Sequence, residues 1–248
     1  MAAKQAWENG ALERQARAAL RETARTLAQL EKRNAAAVAA AAETILACFE
    51  NGGTLYFCGN GGSAADAQHL AAEFSGRYLI DRPGLPAVAL TTNSSAVTAI
   101  GNDYGYRDVF ARQLEGLGGP GDVLVAITTS GRSESILRAV RAAHALQMTV
   151  IGMTGAKGAE FAALCDVALI TPSASTPNIQ EGHIAMGHAF CLLVERSLFP
   201  QGEAAPGPAA RVRRRKAARP RGTARDGDAA TAVARPRRRS PGASRRSE

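Results

Sequence analysis

Two stretches of the chain set glycine beside hydroxyl and amide side chains, each where a strand-like run gives way to a helix-like one. The first is CGNGGSAADAQHLAAEFSGRY (58–78). There Gly59, Gly61 and Gly62 permit close backbone approach to a ligand, and Asn60 and Ser63 add polar groups. The second is TTSGRSES (128–135), which leads into ILRAVRAAHAL. Hydroxyls on Thr128, Thr129, Ser130 and Ser133, with the free N–H groups of a helix N-terminus, suit a phosphate. Ser133 acting only as a helix cap is the competing reading. Neither G-x-x-x-x-G-K-[ST] nor G-x-G-x-x-G occurs, so no P-loop and no dinucleotide fingerprint is supported. His69 and Glu73 follow the first loop four residues apart, on one helix face, where an imidazole and a carboxylate can reach a common ligand. A surface ion pair has the same spacing; the adjacent GNGGS favours a site.

These groups need a scaffold, and the β-rich runs supply one. TLYFC (54–58), AVAL (87–90), VLVAIT (123–128), TVIGMT (149–154) and VALIT (167–171) each precede a turn and an amphipathic stretch. Continuous apolar strands alternating with helices indicate a parallel sheet covered on both faces. The expected fold is therefore α/β, an open doubly wound five-stranded parallel sheet, with ligands beyond the strands' carboxyl ends. Helical periodicity over 4–50 suggests two N-terminal helices that break near Asn34. A last helix, about 178–198, is apolar on several faces and is expected to be buried, at a subunit contact if not in the core.

The net charge of +8 suggests nucleic acid until it is divided along the chain. Of 30 basic and 22 acidic residues, 14 and 4 lie from Glu203 onward, a net of +10; the 16 and 18 that remain leave 1–202 at −2. The tail, 203–248, is Arg, Ala, Pro and Gly with few large apolar side chains, and disorder is expected of it. Weak binding of nucleic acid would come from the tail alone, which has no aromatic residue to stack on bases. Residues 1–202 form the expected folded domain. No run approaches 18 apolar residues and the first 30 mix acids with bases, so a soluble cytoplasmic protein without membrane association is expected. Cys48, Cys58, Cys165 and Cys191 have no C-x-x-C spacing and read as buried reduced thiols.

CGNGGS (58–63), HLAAEFSGRY (69–78), RPGLPAVAL (82–90), GNDYG (101–105), PGDVLVAITTSGRS (120–133) and IQEGHIAMGH (179–188) occur in the order found in the sugar isomerase (SIS) domain family. Over about residues 5–200 the chain resembles that family's phosphoheptose isomerase branch. The resemblance implies a flavodoxin-like fold, a homotetramer with active sites near subunit interfaces, and conversion of sedoheptulose 7-phosphate to D-glycero-D-manno-heptose 7-phosphate, feeding nucleotide-activated heptose synthesis. It implies Glu73 as acid/base on carbon with His188 as its partner, and one Zn2+ per subunit on His69, Glu73, Gln180 and His188. Substrate contacts carry over to Asn60, Gly61, Gly62, Ser63, His69, Glu73, Asn102, Asp103, Thr128, Thr129, Ser130, Ser133 and Gln180.

Aldose–ketose isomerisation through an enediol needs a base over carbon and a group that handles the oxygens. Gln180 and His188 are eight apart, ~12 Å along one helix. Either Gln180 precedes the regular helix, or long side chains close the gap, or different subunits supply the two. A carboxylate on a metal is also a poorer base. Arg132 and Glu134 depart from the commoner pattern; Arg132 is either a solvated side chain or a reinforcement of the phosphate site. Gly182 should weaken its helix by roughly 1 kcal/mol relative to alanine. His144 reads as a surface partner, and His183 is left open. The rival function is a non-catalytic SIS-domain protein that binds the replication initiator; that relative lacks the counterparts of Glu73 and His188.

Overall fold

Five apolar runs form five strands: β1 (Leu55–Gly59), β2 (Ala87–Ala89), β3 (Val123–Ile127), β4 (Thr149–Gly155) and β5 (Val167–Thr171). All pair in parallel in the order β2-β1-β3-β4-β5. The structure is a computed structural model and describes residues 10–200. The expected helix start at residue 4 and the expected disorder of 203–248 lie outside the described residues. The strand order is that of flavodoxin-like sheets, in which the chain changes direction between β1 and β3 and leaves a crevice at their carboxyl ends.

Alternation along each strand divides the core in two. Leu55, Phe57, Val123, Val125, Ile127, Ile151 and Met153 point to one face and pack under α1 (Ala11–Glu50), α2 (Gly62–Ser75) and α7 (Thr176–Leu198). Tyr56, Cys58, Leu124, Ala126 and Val150 point to the other. That face is covered by α3 (Ser94–Asp103), a 3-10 turn (Tyr106–Asp108), α4 (Ala111–Leu117), α5 (Glu134–Ala145) and the short α6 (Ala159–Ala162). A central strand buried on both sides needs the unbroken apolar runs seen in the sequence. The four cysteines are free, three of them buried, and burial pushes the Cys58 thiol up to about 12.

The N-terminal segment corrects the expectation of a break at Asn34. One helix of 40 residues runs through that position. Asparagine disfavours helices because its amide competes for backbone groups. Here the amide is committed elsewhere, donating to the Ile170 carbonyl at 3.0 Å and accepting the Ile170 N–H at 3.1 Å. The glycines of α7 have a similar tertiary reason. A Cβ on Gly182 would meet Thr171 and one on Gly187 would meet Leu70. Helix α7 thus lies closer to β5 and α2 than alanine permits, and the expected preference for alanine at 182 does not apply.

A buried ion pair ties the end of α2 to α7. The Arg82 Nε donates to Glu195 Oε1 at 2.8 Å, with both side chains 3% exposed or less. Glu195 also accepts the N–H groups of Tyr78, Leu79 and Ile80. Arg82 further donates to the carbonyls of Glu73, Phe74, Gly76 and Pro83. The end of α2, the loop 76–82 and α7 are held as one unit. Burial pushes the Glu195 carboxyl up, but the Leu79 N–H, the Arg82 guanidinium and the N–H groups of Tyr78 and Ile80 outweigh it and bring it below the ordinary carboxyl value.

Candidate active site

The loop after β1 makes its turn on Gly61, whose φ of 56° favours glycine, and enters α2 at Gly62. A Cβ at Gly62 would overlap the Gln180 amide, so this glycine lets α7 lay Gln180 against the loop. Asn60 is fixed from two sides, donating to Ser135 Oγ at 2.9 Å and accepting from the Tyr106 hydroxyl at 2.8 Å. Ser63 is buried in the first turn of α2. Tyr106 and Ser135 were not picked out in the sequence; Tyr106 stands one residue beyond the GNDYG motif.

Two turns further along α2, His69 and Glu73 face His188 of α7. The two Nε2 atoms of His69 and His188 lie 2.8 Å apart, and His69 Nε2 is 3.4 Å from Glu73 Oε1. One potential ligand atom from each of the three residues falls within 4.8 Å of the others. The two ring nitrogens are close enough to face a common ligand. The Tyr78 ring packs 5.8 Å from that of His188, and burial, followed by the acidic neighbours Cys191, Glu73 and Glu195, raises its hydroxyl above the ordinary value. Two imidazoles and a carboxylate converging on one point are a donor set that fits a transition-metal ion.

Gln180 lies inside α7, which begins at Thr176. That removes the option that Gln180 precedes the regular helix. The signal was present: Ser175-Thr176-Pro177 sets proline in the first turn, where it marks a helix start. Gln180 lies with its amide against the glycine loop.

The hydroxyl loop crosses from β3 to α5. Thr128 is buried and its Oγ1 accepts the Gly131 N–H, while Ser130 Oγ accepts the Arg132 N–H at 3.2 Å. Ser133 is the residue before α5, but its side chain makes no capping hydrogen bond, which sets aside the cap-only reading. Thr129 and Ser130 line a cleft of about 200 Å³ with Ile179, the neighbour of Gln180. The hydroxyl loop and Gln180 lie at the carboxyl ends of β3 and β1, and the His69–Glu73–His188 group lies farther along α2 and α7. Asn102 and Asp103 are exposed at the end of α3, hydrogen-bonded to each other and to no other site residue.

Two histidines stand outside this arrangement. His144 contacts the Leu164 carbonyl at 2.9 Å, a surface partnership as expected. His183 is fully buried, and neither ring nitrogen has a well-aligned partner among the described residues. Burial lowers it to about 4, only partly opposed by the Thr154 backbone. A histidine buried neutral gives full stability above its unfolded value near 6.5 and loses stability as pH falls from there towards 4. Asp66, raised by burial to about 6, acts with the opposite sign in the same window. The comparison that isolates His183 is urea unfolding of the protein and of His183→Leu at pH 7.5 and 5. The wild type should lose about 2 kcal/mol more than the variant on acidification. Equal losses would show that His183 takes up its proton without unfolding.

Residues 20–155 match the family model described as SIS domain. Phosphoheptose isomerase from Burkholderia pseudomallei is 54% identical over 169 residues, 68% of this chain and 86% of that protein. The protein of the same name from Rhodospirillum rubrum is 55% identical over 164 residues, 66% of this chain and 87% of its own length. Among solved structures, phosphoheptose isomerase GmhA from Neisseria gonorrhoeae superposes with a TM-score of 0.70 at 46% identity, covering 74% of this chain and 98% of that one. A phosphoheptose isomerase from Francisella tularensis gives 0.71 at 37% identity, covering 73% and 97%.

Proposed function

Because the chain belongs to the SIS domain family and, within it, to the phosphoheptose isomerases, we propose that it converts sedoheptulose 7-phosphate to D-glycero-D-manno-heptose 7-phosphate, for the synthesis of activated heptose. It is an aldose–ketose isomerase. The observation that carries the reading is the convergence of Glu73, His69 and His188, two of them on the helix that the glycine loop opens.

The hydroxyl loop binds the phosphate, and the sugar extends from it past Gln180 and Asn60 towards Glu73. The Glu73 carboxylate takes the proton from carbon 1 of the ketose and returns it to carbon 2. His188, the partner of Glu73, handles the two oxygens as the enediol forms and collapses. His69, Glu73 and His188, with the Gln180 amide oxygen as fourth donor, would hold one Zn2+ per subunit. Bound there, it would polarise the carbonyl and hydroxyl oxygens. Asn102 and Asp103 reach the sugar on closure around it or from a neighbouring subunit.

The assembly we propose is a homotetramer. Leu12 and Leu20 project from the first half of α1, and a cleft of about 430 Å³ between α1 and α7 is lined by Leu27, Leu30, Val38, Met186 and Leu193. Apolar surface of this extent on two long helices suits another subunit. No helix among the described residues is long and apolar enough to cross a membrane, in keeping with a cytoplasmic enzyme. The folded domain ends near Gly202, and the basic tail takes no part in turnover.

Incubation of the full chain and of a truncation after Gly202 with sedoheptulose 7-phosphate, followed by NMR of the products, tests both statements. Each protein should form the aldose heptose 7-phosphate with similar kcat/KM. Absence of product from the full chain removes the function. A drop beyond about tenfold on truncation, with the oligomer intact, assigns the arginines a part in steering substrate.

A further inference from the structure

The cleft next to the hydroxyl loop contains two cations that the isomerase reading has not used. Arg132 comes from the β3–α5 loop, Lys157 from the β4–α6 loop, and Thr176 from the start of α7; all three line the cleft with Thr129 and Ser130. Glycine brings the two basic loops together. Gly131 has a φ of 70°, and a Cβ there would stand 2.8 Å from the Gly158 α-carbon. The residue after one glycine and the residue before the other are thereby set on one opening.

Neither cation is neutralised. Among the described residues, no ion pair and no side-chain hydrogen bond involves the Arg132 guanidinium or the Lys157 ammonium. The carboxylate nearest in sequence to Arg132, Glu134, turns instead to Arg138 and Arg141. Two like charges facing one cleft, with hydroxyls between them and no acid, form a receptor for an anion that carries more than one charge.

We infer that Arg132 and Lys157 bind the phosphate monoester of the substrate, extending the hydroxyl loop into a cationic clamp. This rests on the isomerase reading for the identity of the phosphate's carrier. Arg132 supplies directed N–H donors and Lys157 a point charge, while Thr129, Ser130 and Thr176 offer hydroxyls to the remaining oxygens.

The test uses the full chain, so that the basic tail is constant throughout. Initial rates with sedoheptulose 7-phosphate and inhibition by inorganic phosphate are measured for wild type, Arg132→Gln with Lys157→Gln, and the charge-preserving Arg132→Lys with Lys157→Arg. The glutamine pair should raise both KM and the phosphate inhibition constant by ~10-fold or more, with a smaller fall in kcat. The charge-preserving pair should recover most of that affinity. An unchanged KM and inhibition constant in the glutamine pair overturn the inference and leave both cations as solvated side chains. Should the wild type fail to turn over the sugar phosphate, the isomerase reading falls. Calorimetric titration of wild type and glutamine pair with inorganic phosphate then still decides the clamp: weaker binding by the pair supports it, and equal binding refutes it.

Discussion

Glu73→Gln should yield an assembled protein that still binds sedoheptulose 7-phosphate and turns it over ~10²–10⁴ times more slowly, the usual cost of a missing general base. The substitution keeps the shape of the side chain and its place on α2, 3.4 Å from His69, while removing the basic carboxylate proposed to accept the proton. Loss should fall on kcat rather than on KM, because the hydroxyl loop proposed to hold the phosphate is untouched. The same experiment in D2O separates proton transfer from a hydride shift. The enediol route puts deuterium at carbon 2 of the aldose. Deuterium-free product from the wild type, together with near-normal turnover by Glu73→Gln, would falsify the assignment of Glu73. Deuterium-free product with a dead variant would instead mean that the carboxylate returns the same proton before solvent can exchange with it.

The second large effect concerns stability. Glu195→Ala leaves the Arg82 guanidinium buried without its carboxylate and frees the N–H groups of Tyr78, Leu79 and Ile80. Breaking a buried pair by removing one partner costs ~3–5 kcal/mol. At this chain length that lowers Tm by roughly 10 °C. Melting at fixed protein concentration is the measurement, since association shifts the midpoint. Replacing both partners, as Arg82→Met with Glu195→Met, should cost less than the single change, because no unpaired charge remains. A loss below about 1 kcal/mol in Glu195→Ala would mean that water reaches the guanidinium. The wild-type contribution also has a sign in pH. The folded carboxyl lies below its ordinary value, so its stabilisation is complete above that value and is lost as pH falls through the folded one.

What could be read from the sequence was local. Strands buried on both faces announce themselves as apolar runs, and each expected strand lies within a residue or two of the observed one. Glycine and hydroxyl loops are visible because their chemistry is compressed into a few consecutive residues. What escaped depends on partners far along the chain. Asn34 looks like a helix breaker until Ile170, 136 positions away, takes up its amide. Glu195 reads as one more acid in a terminal helix until Arg82 is found beside it, 113 positions earlier. The position of Gln180 against Gly62 needs the packing of α7 on α2, which no spacing rule contains. His183 stayed undecided because a buried neutral imidazole and a ligand look alike in sequence.

The Asn34 contact has a meaning beyond the course of α1. β5 is the outer strand of the sheet, and a parallel edge presents a row of N–H and C=O groups on which another chain can add a strand. At Ile170 both groups are already taken by one carboxamide, which copies the pairing that a sixth strand would offer. The opposite edge, β2, is three residues long and gives little length to template on. A sheet ended in this way resists growth by strand addition. The proposed contact between subunits through α1 and α7 would then not compete with pairing of exposed backbone at the sheet edges.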